Sequence, residues 1–128
     1  MAIFPLTEEW TIELGEDFEQ RVEDGSLIFA HQDRAIWVDL FEDDRSRDEK
    51  LALLQEDVPQ NAQSWNFEQE NLLKFGYLER DEENENYELT TFCVAASEYA
   101  LLTFYFDDDK SLDWALKRWR SVRFQAEE

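Results

Sequence analysis

One cysteine, one histidine, three glycines and two prolines are all this chain holds of the residues that most often mark chemistry or sharp turns. With Cys93 alone there is no internal disulfide and no cysteine-rich metal knot. An unpaired thiol suits a reducing cytoplasm. His31 has no second histidine to form an HxxxH or HExxH pair, so zinc is not expected. Gly15, Gly25 and Gly76 stand far apart and build no phosphate-cradling loop. None of the serines lies in a GxSxG frame. No stretch approaches the roughly 20 consecutive apolar residues of a membrane helix. The opening "MAIFPLTEEW" has neither a basic start nor a long apolar run, so no signal peptide is expected and the protein reads as cytoplasmic.

Positive charge is scarce too. Twelve basic residues face 32 acidic ones, a formal net charge of -20. Phosphate would be repelled by such a surface, which excludes nucleic acid as a partner, and anionic membranes are excluded by the same sign. A basic protein fits better.

Apolar and aromatic material, by contrast, is plentiful. The hydrophobic fraction is 43% and the aromatic fraction 15%, with five tryptophans and ten phenylalanines. A chain of 128 residues with this content buries a real core and is expected to be one domain, residues 1–128.

Hydrophobic periodicity sets the expected elements. "WTIEL" (10–14) alternates as a half-buried strand. "GEDFEQRVEDGS" (15–26) reads as a connection, with a short turn of helix suggested by Phe18 and Val22. "SLIFA" (26–30) and "AIWVDLF" (35–41) flank "HQDR" as a hairpin. Ser46 with Glu49 is a capping box opening a helix over 46–58, with Leu51, Leu54 and Val58 on one side and Pro59 ending it. Four strands follow, in 65–70, 72–79, 87–96 and 99–106, joined too tightly for crossovers and therefore paired as antiparallel hairpins. "YELTTFCVAA" and "YALLTFYF" carry apolar residues on both sides, so both faces of the sheet centre must be covered. Only two helices are available. Either one lies on each face, or both share a face and a second subunit covers the other.

The last helix, from about 110 to about 124, packs through Leu112, Ala115, Leu116, Trp119 and Val122. Its aspartates come first and its cations last, as the helix dipole favours, with Asp108, Asp109 or Ser111 as the N-cap. Trp114 points away from the apolar stripe. With Arg118 and Lys117 it forms the candidate interface: tryptophan and arginine are enriched at binding hot spots, while an Arg118 cation over the indole is the intramolecular alternative. Lys110, Lys117, Arg118, Arg120 and Arg123 against Asp113 give this helix +4 within a chain total of -20, so the remainder carries -24. Such a charge dipole can orient a partner or a second copy, and a homodimer is a candidate state. Cys93, mid-strand among apolar neighbours, reads as an inert core thiol. The acidic clusters at Glu42-Asp43-Asp44, Asp81-Glu82-Glu83 and Asp107-Asp108-Asp109 fall at turns and strand ends, where charge is solvated.

The expected class is therefore α+β, an antiparallel sheet of six to seven strands with two main helices in the order β-β-β-α-β-β-β-β-α. That order, from "WTIEL" through the capped helix to the tail "YFDDDKSLDWALKRWRSVRF", resembles the Mog1/PsbP-like fold, and the tail is similar to those of small acidic bacterial proteins of unassigned function. Known members of the fold bind GTPases, photosystem subunits or secretion effectors without catalysis. The charge of -20, an apparently complete core and the absence of catalytic residues make the leading reading a non-enzymatic protein-binding module of antagonist, immunity or effector-chaperone type that meets a basic partner and needs no cofactor. A homo-oligomeric structural protein and a small carboxylate- or metal-dependent enzyme are the alternative readings.

Overall fold

In the computed structural model, residues 2–14, 18–31, 34–60, 62–69, 71–83 and 85–125 are described. Seven strands form one antiparallel sheet: β3 (Glu19–Glu23), β4 (Ser26–His31), β5 (Arg34–Glu42), β6 (Gln63–Gln69), β7 (Leu72–Asp81), β8 (Asn86–Val94) and β9 (Glu98–Phe106). Their spatial order is β3-β4-β5-β9-β8-β7-β6. Two meanders of consecutive hairpins thus meet where β5 pairs with β9. Helix α1 (Arg47–Gln55) carries the chain from the end of β5 to the far edge, where β6 begins the second meander. A separate three-stranded sheet, β1-β2-β10, joins β1 (Ala2–Pro5), β2 (Trp10–Leu14) and β10 (Arg123–Phe124), and helix α2 (Ser111–Arg120) precedes β10.

Alternation along β9 divides the large sheet. Ala100, Leu102, Phe104 and Phe106 are buried, and the residues between them are half-buried. The buried set faces α2 and the small sheet, in a core with Trp10, Ile12, Phe29, Ile36, Val38, Leu89, Cys93, Ala115 and Trp119. The other side of the sheet meets α1, where Leu51, Leu54 and Val58 pack on Phe75, Tyr77, Phe92 and Val94. One helix lies on each face, the first of the two arrangements expected. Removing each large side chain from water contributes roughly 1.5–3 kcal/mol, so the α2 side holds most of the hydrophobic stabilisation.

The α+β class with two helices and antiparallel sheets agrees with the sequence reading, but several elements differ. "WTIEL" is a strand, though of the small sheet, and β3 takes its expected place in the large one. The segment read as a connection with a helical turn contains β3, whose residues are all exposed. An edge strand wet on both sides has no period-2 apolar signal to read. Asp24 (φ 51°) and Gly25 (φ 86°) both adopt positive φ, the geometry of a two-residue hairpin turn matching strand twist. The "HQDR" hairpin is present as the β4–β5 pair, with Gln32 and Asp33 outside the described residues.

Helix α1 stops at Gln55 rather than 58, and Val58 reaches the α1-side cluster from the following turn. Its start follows the capping box: Ser46 Oγ accepts from the Glu49 amide at 3.2 Å and donates to the Glu49 carboxylate at 3.0 Å. Helix α2 ends at Arg120, not near Phe124. The chain turns so that Phe124 pairs with Trp10, their rings 4.7 Å apart. The N-cap of α2 is Lys110, none of the three residues expected, and it makes no side-chain cap bond; Asp108, two residues earlier, instead accepts from the Ser111 amide through its carboxylate at 2.8 Å. That bond holds the Asp108 carboxyl below its usual range.

Candidate functional site

The residues singled out by the sequence on α2 are divided by the fold. Trp114 is half-buried: its ring stacks near Phe18 at 6.0 Å, meets Phe104 edge-on at 5.9 Å, and carries the Arg34 guanidinium 4.8 Å from its centroid. The cation over the indole is thus supplied by Arg34 from β5, where the sequence suggested Arg118. Arg118 is buried, and its Nη1 donates to the Glu13 carbonyl at 3.1 Å, tying α2 to β2. Lys117 is exposed. Two of the three side chains are therefore engaged inside the chain, and α2 presents lysine and arginine heads to water rather than an aromatic anchor.

The aromatic surface lies on the opposite face. Helix α1 packs mainly on β7 and β8, and Tyr99 and Leu101 of β9 join the same cluster. Toward β5, β4 and β3 no described helix lies on the α1 side of the sheet; Ile28 is fully buried there beneath its neighbours, but neither hydrophobic cluster includes Trp37 or Tyr105. Both rings are partly exposed and meet edge-on at 6.4 Å. Farther along the same ladder Phe41, 41% exposed, stacks on Tyr99 at 4.9 Å. These four rings stand on β5 and β9, the junction of the two meanders and the middle of the sheet.

Register defines the rest of the surface. Across the strands, Ile28, Trp37, Thr103, Thr90 and Tyr77 fall in one row. The adjacent row is Ala30, Ala35, Tyr105, Glu88 and Glu79, so small side chains and hydroxyls separate the large rings. Residues opposite one another in an antiparallel pair share a face, which places Glu19, Arg21 and Glu23 of β3 on this side as well. Asp39 completes it, accepting from the Ser26 hydroxyl. On this face of the described strands the carboxylates outside the α1 cover are Glu19, Glu23, Asp39, Glu79, Asp81 and Glu88, and Arg21 is the one cation, 3.5 Å from Glu23. Burial pushes the Tyr105 hydroxyl up to about 12, and the Glu88 carboxylate that accepts its proton adds to the shift. Tyr105 is therefore a neutral donor to Glu88 at ordinary pH.

The end of the β5–β9 ladder is also acidic. Glu42, Asp43, Asp44, Ser97 and Glu98 line a surface cavity of about 420 Å³. Arg45 grips Asp43 with two nitrogens and holds its carboxyl down at about 2, while Glu98 accepts from the Trp10 indole at 3.2 Å. A second cavity, of about 430 Å³, opens between Glu8, Thr11, Asn71 and Arg123. Among the described residues no group of three or more His, Cys, Asp or Glu side chains is placed to hold a metal ion. Cys93 is fully buried and burial pushes its thiol up to about 12, so it stays protonated and unreactive as a nucleophile. His31, on β4, lies 5.6 Å from the Phe18 ring.

Two lysines escaped the sequence reading altogether. Lys50 donates from its ammonium to the carbonyls of Asp43, Ala95 and Ala96 at 2.7–2.9 Å, and Lys74 to those of Trp119, Arg120 and Val122 at 3.0–3.2 Å. Both are buried, and each closes a chain turn rather than facing a ligand. The open face, by contrast, had a signal: "YALLTFYF" carries rings on both sides of its strand, more than two short helices can cover. No helix among the described residues is long and apolar enough to cross a membrane. Neither a protein-family profile nor a curated protein matches this chain.

Proposed function

We propose that this chain is a non-enzymatic protein-binding module, of the antagonist, immunity or effector-chaperone type, whose partner is a basic protein. One observation carries the reading: four aromatic rings at the centre of the sheet stay partly exposed in a molecule of net charge -20. Tryptophan and tyrosine are the residues that dominate interface energetics, and an acidic field accelerates encounter with a cationic partner. The succession of strands, helix, four-stranded meander and terminal helix supports the resemblance to the Mog1/PsbP-like fold, whose known members bind other proteins. A single buried thiol accords with a reducing, cytoplasmic setting.

The test is capture on immobilised protein, with bound material eluted by a salt gradient, identified, purified and re-bound. A basic partner that binds in fixed stoichiometry and is released as the Debye length shrinks below about 10 Å supports the reading. Recovery of neutral or acidic partners alone, indifferent to salt, removes it. A second reading, self-association, is favoured by one observation: Lys110, Lys117, Arg120 and Arg123 are exposed on the α2 side, across the sheet from the acidic face. Sedimentation at high micromolar concentration separates the two, because a clean monomer eliminates the second.

A further inference from the structure

We infer that the uncovered part of the α1 side, centred on Trp37 and Tyr105, is a docking surface for a basic amphipathic segment of a partner protein. The inference rests on the binding-module reading and adds the place and the chemistry of the occupant. Apolar side chains of the segment lie against Trp37 and Tyr105, over the small floor of Ala35 and Thr103 between them. Its lysines or arginines reach Asp39 on one flank of the rings and Glu88 with Glu79 on the other. Farther out, Glu19 and Glu23 extend the same negative potential to the β3 edge.

Charge complementarity selects this occupant. This face of the described strands carries six carboxylates and one arginine, which is itself beside Glu23. An acidic or neutral segment would gain the ring contacts but meet repulsion or uncompensated desolvation at Asp39 and Glu88. A second copy approaching by its own acidic face is opposed by the chain charge of -20. Tyr105 shows why both elements are required at one place, since its ring supplies apolar area while its hydroxyl holds Glu88 at the edge of the patch.

The probes are a fluorescent peptide of alternating leucine and lysine and its twin of alternating leucine and glutamate, measured by anisotropy over a range of salt. The lysine peptide should bind and the glutamate peptide should not. Trp37→Ala and the pair Asp39→Asn with Glu88→Gln should each weaken binding by roughly tenfold or more, the scale of an interface anchor. The pair Glu42→Gln with Asp44→Asn removes the same charge at the far end of the ladder and should change affinity by less than about threefold. Because Trp37→Ala could disturb the sheet, Thr103→Arg provides an independent probe, placing a cation on the floor of the patch. Loss of binding in that variant with an unchanged melting temperature supports the site.

If the lysine peptide binds but responds equally to both charge pairs and ignores Trp37→Ala, the location is wrong while the preference for basic partners stands. If it fails to bind, or the glutamate peptide binds as well, the binding-module reading falls with it. Self-association of the wild-type chain abolished by both Trp37→Ala and Lys117→Glu would identify a second copy as the occupant and overturn the proposal.

Discussion

Lys74 and Val122 lie 48 positions apart in the chain, yet the Lys74 ammonium donates to the Val122 carbonyl at 3.0 Å. The same nitrogen reaches the carbonyls of Trp119 and Arg120, groups that the end of α2 leaves without helical partners. A buried cation on the central sheet therefore closes the last helix and turns the chain toward β10. Lys74→Met keeps the packed stem and removes the donor. It should cost on the order of 2–4 kcal/mol in urea unfolding, since several buried carbonyls lose a charged partner at once. A loss below about 1 kcal/mol would mean that those carbonyls find water instead.

Trp119 packs closely on Gly76 on the same face. A Cβ added to Gly76 would stand 3.0 Å from the Trp119 ring and 3.1 Å from the Thr90 carbonyl. Gly76→Ala should destabilise by about 1–3 kcal/mol through overpacking, and Trp119→Ala by about 3–5 kcal/mol through the cavity it leaves. The two are coupled. In a double-mutant cycle Gly76→Ala should cost less beside Trp119→Phe than alone, and strict additivity would show that the contact carries no strain.

Gly25 tests backbone conformation without packing. At φ 86° an added Cβ meets nothing within 4 Å, so Gly25→Ala isolates the penalty of the left-handed region. It should cost about 1–2 kcal/mol, read as a lower denaturant midpoint at unchanged slope.

Alkali should destabilise the protein through Tyr105. Its hydroxyl ionises at an ordinary 10 when exposed and at about 12 in the fold. Its contribution is thus complete below pH 10 and lost as pH rises from 10 through 12, where the unfolded chain releases the proton first. Cys93 acts in the same sense from 9 upward. Phenolate absorbance should show two tyrosines titrating late, Tyr105 and, through its own burial, Tyr77, and Tyr105→Phe should remove one of the two. In a Cys93→Ala background, Tyr105→Phe should flatten the fall in stability over the same window. A Tyr105→Phe protein whose ultraviolet titration matches the wild type would show that the Glu88 contact does not hold the proton.

Much of the architecture was legible because local rules and tertiary packing agree. The alternation of "WTIEL" in β2, the capping box at Ser46 and Glu49, and the stripe of Ala115 and Trp119 each have a period or spacing that one element alone satisfies. Where an element lacks an apolar face, that agreement ends. Strand β3 is exposed throughout and β10 is two residues long, so neither carries a periodic signal, and both exist because a neighbouring strand offers hydrogen bonds.

What the residues determined unaided was the composition of the problem: an acidic chain with a single thiol, abundant rings and strands apolar on both sides. Only the tertiary structure decided which rings are spent internally. Trp114, prominent on a helical wheel, is covered by Phe18 and Arg34 from elements distant in sequence, while Trp37, unremarkable in its strand, stays partly open because the α1 cluster takes in β7, β8 and Tyr99 and Leu101 of β9 but not Trp37. Exposure is a property of what arrives from elsewhere in the chain, and no local spacing encodes it. The same holds for Lys50 and Lys74, whose charges read as solvated until the carbonyls of remote turns close around them.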